Sequence, residues 1–97
     1  PTGEGHQKYV RFHNDEKHLS GKYVNVLKEG FVSIDMAQNI LVVKTVSGMA
    51  MAVAAAIDAM KYPEIVGSIA GDDTIMMAVR TVEDTKSLMN QILQLVH

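Results

Sequence analysis

The sequence predicts an α+β fold: a two-layer sandwich of one four-stranded antiparallel sheet with two helices on one face, ordered ββαββα. An N-terminal arm and a short helix precede it. Three observations carry this reading. Two pairs of short apolar or alternating segments are each joined by a turn-like stretch. Each pair is followed by a segment of helical character. The chain has 97 residues, 47% of them apolar, which suits one small globular domain.

Thr2-Gly-Glu-Gly5 is a turn signal, and Gln7-Lys-Tyr-Val-Arg-Phe12 alternates weakly, as a short edge strand or an extended arm does. Leu19 to Lys28 has helical spacing at Leu19, Tyr23, Val26 and Leu27, and Gly30 is expected to end that helix in the left-handed region. Phe31-Val-Ser-Ile-Asp35 alternates as a half-buried strand, and Met36-Ala-Gln-Asn39 is turn-like. Ile40 to Val46 is β-branched and reads as a buried strand closing a hairpin. Ser47 is expected to cap the helix that follows. Gly48 to Met60 is rich in Ala and Met, which favour helix, and Tyr62-Pro63 stops it. Ile65 to Ala70 and Thr74 to Val79 are strands around the turn Gly71-Asp72-Asp73. Thr81 with Asp84 approximates a capping box, and the last helix carries Leu88, Ile92, Leu95 and Val96 on one face.

Composition narrows the function. Nine Lys and Arg against eleven Asp and Glu give a net charge of −2, without the basic excess of a self-sufficient nucleic-acid binder. With no cysteine there is no disulfide and no thiolate ligand or nucleophile. No apolar run is long enough to span a membrane, no segment resembles a signal peptide, and a cytoplasmic location is expected. Aromatic residues are only 5%, so the core must be built from aliphatic residues, Ala and Met. Residues 1–29 hold five of the nine basic residues and three of the four histidines, and read as a polar arm. Residues 30–97 hold every methionine.

Two features stand out from the background. The helix from Gly48 to Met60 is apolar almost all round, with Asp58 its one ionisable residue. A surface helix of a monomer shows a polar stripe, so this one is expected to meet another subunit. Asp58 has two readings: a solvated rim residue paired with Lys61, or the partner of a cationic ligand group. Gly71-Asp72-Asp73-Thr74 likewise reads as a hairpin turn, or as a carboxylate pair awaiting a divalent metal, an ammonium or a guanidinium. A Gly-Asp-Asp hairpin also occurs in polymerase palms, but those need further acidic motifs and a far longer chain. His6, His13, His18 and His97 have no metal-ligand spacing, and no serine is paired with a histidine as a nucleophile. The methionines follow core spacing. The reading is therefore no enzyme, no catalytic residue, no metal site and no cofactor.

Val66-Gly-Ser-Ile-Ala-Gly-Asp-Asp-Thr-Ile75 resembles the signature of the bacterial arginine repressors, in their C-terminal domain. Val43-Lys-Thr-Val-Ser-Gly48, the Ala-rich helix ending at Asp58, and Arg80-Thr-Val-Glu-Asp-Thr85 match the same family. The resemblance spans about Gly21 to the C-terminus, and residues 70–74 are its most specific part. It implies a DCoH-like fold that forms trimers, which pair into hexamers. L-arginine is the implied corepressor at the trimer–trimer interface, in a regulator of arginine metabolism. Residues 1–17 then resemble the remnant of a DNA-binding domain's wing and linker, and residues 18–97 the oligomerisation and arginine-binding domain. Operator DNA is expected to be met only through an N-terminal domain missing from this chain, with Pro1 as a truncation point.

By the resemblance, Asp72 and Asp73 fall on the family's paired aspartates, one engaging the ligand guanidinium. Asp58 falls near the ligand's α-amino end. Ser68 takes a position usually Thr, and Ala70 a backbone contact. Met51 stands where the family commonly has Gln, seven residues before Asp58 and on the same helix face. A thioether is a poor substitute for an amide, so weakened arginine binding is the expected consequence. Two other readings stand beside the sensor: a purely structural oligomerisation domain, and a small metal-binding or catalytic domain built on Asp72 and Asp73.

Overall fold

The computed structural model describes residues 21–97. The arm, its histidines His6, His13 and His18, and the whole 1–17 segment lie outside the described residues. Residues 21–30 are helical (α1). Then follow β1 (Phe31–Ala37), β2 (Ile40–Thr45), α2 (Ala50–Ala59), β3 (Ile65–Ala70), β4 (Thr74–Val79) and α3 (Val82–Val96). The expected ββαββα order is present, with a helical segment before it.

All strand pairs are antiparallel and the sheet runs β1-β2-β4-β3. The two strands richest in buried apolar residues, β2 and β4, are thus central. Leu41, Val43 and Thr45 of β2 share one face with Ile75, Met77 and Val79 of β4, and all six are buried. The helices cover this face, contributing Leu27 from α1, Val53 and Ile57 from α2, and Leu88 and Ile92 from α3. No aromatic side chain is fully buried among the described residues. Phe31 and Tyr62 only pack against the margin of the core. Each buried Leu, Ile, Val or Met is worth about 1.5–3 kcal/mol, so this aliphatic cluster is the main source of cohesion.

The opposite sheet face is open. Ile40, Val42 and Lys44 of β2 pair with Ala78, Met76 and Thr74 of β4, and Ile69 of β3 pairs with Met76. Ile69 is 79% exposed and Met76 53%. Ile40, Gly67, Ile69, Met76 and Ala78 line an open apolar depression there. Both edge strands carry a register shift, between Phe31 and Ser33 in β1 and between Ile65 and Gly67 in β3. Irregularities of this kind disrupt the edge ladder and discourage uncontrolled strand pairing. No helix among the described residues is long and apolar enough to cross a membrane.

Three local expectations need correction. β1 continues through Met36 and Ala37, so the hairpin turns on Gln38-Asn39 alone, with Gln38 left-handed at φ 58°. Gly30 does not stop α1 in the left-handed region; Gly48, at φ 84°, is the one described glycine found there. Gly30 is needed for space: a Cβ on it would lie 2.7 Å from Val53 Cγ2 and 3.2 Å from Met49 Cε. Ser47 does not cap α2 either. The N-cap residue is Met49, with no side-chain cap. Thr81 does cap α3, accepting the Asp84 N–H at 2.9 Å, as the motif predicts.

Candidate functional site

The β3–β4 turn and the start of α2 are joined by main-chain bonds. Asp72 O accepts N–H groups from Gly48 and Ala50, both at 3.1 Å, and Asp73 O accepts the Thr45 N–H at 2.8 Å. A helix N-terminus leaves several N–H groups without intrahelical partners. Here a carbonyl of the acidic turn satisfies one of them, in place of the serine cap. Gly71 N–H bonds to Thr74 O at 2.8 Å and closes the turn itself.

With their carbonyls turned inward, Asp72 and Asp73 keep exposed side chains. Ser47 Oγ donates to Asp72 Oδ2 at 3.0 Å, and Thr74 Oγ donates to Asp73 Oδ1 at 3.0 Å. Lys44 Nζ in turn donates to Thr74 Oγ at 3.1 Å. Among the described residues, each carboxylate therefore keeps one oxygen free of hydrogen bonds. A pair so arranged suits a planar cation with several N–H donors.

α2 starts at this turn, and its end leads through Tyr62 to β3, where Ile65 N–H bonds to Tyr62 O at 3.2 Å. The helix thus runs antiparallel to β3. Val53, Ala54, Ala56 and Ile57 face the core, while Met51, Ala52, Ala55 and Asp58 are exposed. Met51, 71% exposed, lies in the first turn, near the acidic pair. Asp58 lies two turns on, about 10.5 Å along the axis from Met51 at 1.5 Å per residue. Lys61 meets Asp58 through the backbone, its N–H bonding to Asp58 O at 3.1 Å.

Ser68 and Ala70 pair with Met77 and Ile75, so both sit on the helix-covered face of edge strand β3 and are half-buried. Met51, Asp72, Asp73 and Ala70 are consequently grouped at one end of the α2–β3 seam. Ser68 lies farther along it, and Asp58 stands at the far end. A single chain does not bring Asp58 to the acidic pair.

Sequence reasoning missed Lys44, Ser47 and Thr74 as partners of the acids. Lys44 had a signal: it is the lone charge in the apolar run Ile40 to Val46. Ser47 had a misleading one, since a serine before a helical segment reads as its cap. No group of three or more His, Cys, Asp or Glu able to hold a metal occurs among the described residues. His97, the one described histidine, packs edge-on against Phe31 with ring centroids 6.4 Å apart.

Comparison with known proteins gives a consistent result. The family described as "Arginine repressor, C-terminal domain" matches residues 27–94. The chain is 59% identical over 96 residues to the arginine repressor of Lachnoclostridium phytofermentans, covering 99% of this chain and 63% of that protein. It is 64% identical over 89 residues to that of Lachnospira eligens, covering 92% and 59%. Against that of Bacillus subtilis it is 38% identical over 95 residues, covering 98% and 64%. The chain spans less than two thirds of the length of these relatives. All three carry the name of a repressor, not of an enzyme.

Proposed function

Since the chain belongs to the family of the arginine repressor C-terminal domain, we propose that it is the oligomerising, L-arginine-sensing part of a transcription regulator of arginine metabolism. Copies form trimers, and L-arginine bound between trimers stabilises a hexamer. The observation that carries this reading is the Asp72–Asp73 pair, held by its own backbone against the start of α2 with carboxylates outward. The exposed strip of α2 beside it is apolar except for Asp58.

The mechanism follows from charge. Symmetry would bring several copies of Asp72 and Asp73 together at one interface, where like charges repel. A guanidinium between them turns repulsion into bridging. Arginine thereby favours the assembled state over the separate trimers, and that differential affinity is what a corepressor requires. Asp58 lies at the opposite end of α2 from the acidic turn, so it would join the site from another copy. Operator DNA is then met by a part of the regulator other than residues 21–97, and the domain acts in the cytoplasm without a cofactor.

Sedimentation or light-scattering mass with and without L-arginine tests the reading. The mass should rise from trimer to hexamer as arginine is added. A mass that ignores arginine, together with absent binding, refutes it.

A second reading rests on Met51, whose exposed thioether cannot donate a hydrogen bond. The chain would then be a paralogue with weakened or lost arginine response. One lost bond to a charged ligand group costs about 1.5–3 kcal/mol, roughly ten- to a hundredfold in affinity. Micromolar arginine binding with normal hexamer stabilisation excludes this second reading.

A further inference from the structure

We infer that Lys44 and Thr74 are positioning residues for arginine: they form a hydrogen-bond relay that fixes the orientation of the Asp73 carboxylate. The inference rests on the proposed arginine site and adds residues to it. Lys44 and Thr74 are cross-strand partners of β2 and β4, and the acidic turn ends at Asp73, the residue before Thr74. Lys44 Nζ donates to Thr74 Oγ at 3.1 Å, and Thr74 Oγ donates to Asp73 Oδ1 at 3.0 Å.

The direction of this relay is forced. An ammonium has donors only, so the threonine oxygen must act as its acceptor. The single hydroxyl hydrogen is then left for the carboxylate. Donation from a cation polarises the hydroxyl and makes it a better donor in turn. Oδ1 is thereby pinned and Oδ2 presented outward. The relay is anchored on the last pair of the ladder between the two central strands. A preorganised carboxylate loses less freedom when a guanidinium binds. These bonds are exposed in the single chain.

Calorimetry with L-arginine on the 97-residue chain tests the relay through four variants. Thr74→Val removes the hydroxyl while keeping the β-branched shape, and should weaken arginine binding by about tenfold. Lys44→Met should weaken it similarly. The double variant should bind no more weakly than Thr74→Val alone, because both changes break one relay. Thr74→Ser restores the hydroxyl and should bind like the wild type. Serine suits a strand less well than valine, so this rescue separates positioning from mere strand stability. Unchanged binding by Thr74→Val, losses that add in the double variant, or failure of Thr74→Ser to rescue would each overturn the relay alone. A wild-type chain that takes up no arginine would overturn the functional reading and the relay together.

Discussion

Asp72→Asn separates the two jobs of the acidic turn. Its main-chain carbonyl accepts Gly48 and Ala50 N–H groups, and the substitution leaves both bonds in place. The asparagine oxygen can still accept from Ser47 Oγ, now 3.0 Å from Asp72 Oδ2. The residue is exposed, so the stability of the chain should change by no more than about 0.5 kcal/mol. What disappears is the negative charge. The loss of a charge-assisted bond to a guanidinium is worth about 1.5–3 kcal/mol, so arginine affinity should fall roughly ten- to a hundredfold. Calorimetry reads the affinity, light scattering the arginine-dependent mass, and a denaturation midpoint the stability. Ser47→Ala is the companion variant, because it removes the side-chain bond and keeps the charge. Unchanged binding and unchanged assembly in Asp72→Asn would refute the assignment. A large loss of stability would instead show that the side chain holds α2, against the geometry of the carbonyl.

Two further outcomes follow from the fold. Gly30→Ala should destabilise the chain by about 1–3 kcal/mol, because the new Cβ would sit 2.7 Å from Val53 Cγ2; a urea midpoint at or above the wild type would show that α1 simply moves aside. Burial, and then the charge of Glu64, hold the Tyr62 phenol above its ordinary value of 10.0. Its contribution to stability is complete below pH 10.0 and is lost as pH rises through the folded-state value, because there the unfolded chain has released a proton that the folded one keeps. Tyr62→Phe should flatten that alkaline decline in denaturation midpoints, and an unchanged decline would assign it to another group.

Residues whose roles depend on near neighbours were legible in the sequence. β3 and β4 occupy the predicted spans, Ile65–Ala70 and Thr74–Val79, because Gly-Asp-Asp punctuates two apolar runs. Thr81 caps α3 through a bond three residues away. The adjacent acids at 72 and 73 marked the candidate site for the same reason. The end of β1 differs by two residues across a tight hairpin, where Met36 and Ala37 pair with Leu41 and Ile40; the other differences fall on residues whose partners are distant in sequence. Gly30 has the local pattern of a helix stop, yet it is needed because Val53 lies against it. Ser47 has the local pattern of a helix cap, yet it meets Asp72, 25 positions on. Lys44 reaches Thr74 across 30 positions.

Periodicity, capping and turn chemistry act within a few residues, so the sequence alone determined the element order, the aliphatic core and the family signature. It also marked Asp72 and Asp73. Strand pairing and helix packing act between elements, so the order β1-β2-β4-β3 and the open apolar face emerge from the folded arrangement. The same packing tied the acidic turn to α2 and set Asp58 at the other end of that helix. The physical reason is one of range: local patterns choose an element, but a residue's partner is chosen by the elements that pack beside it.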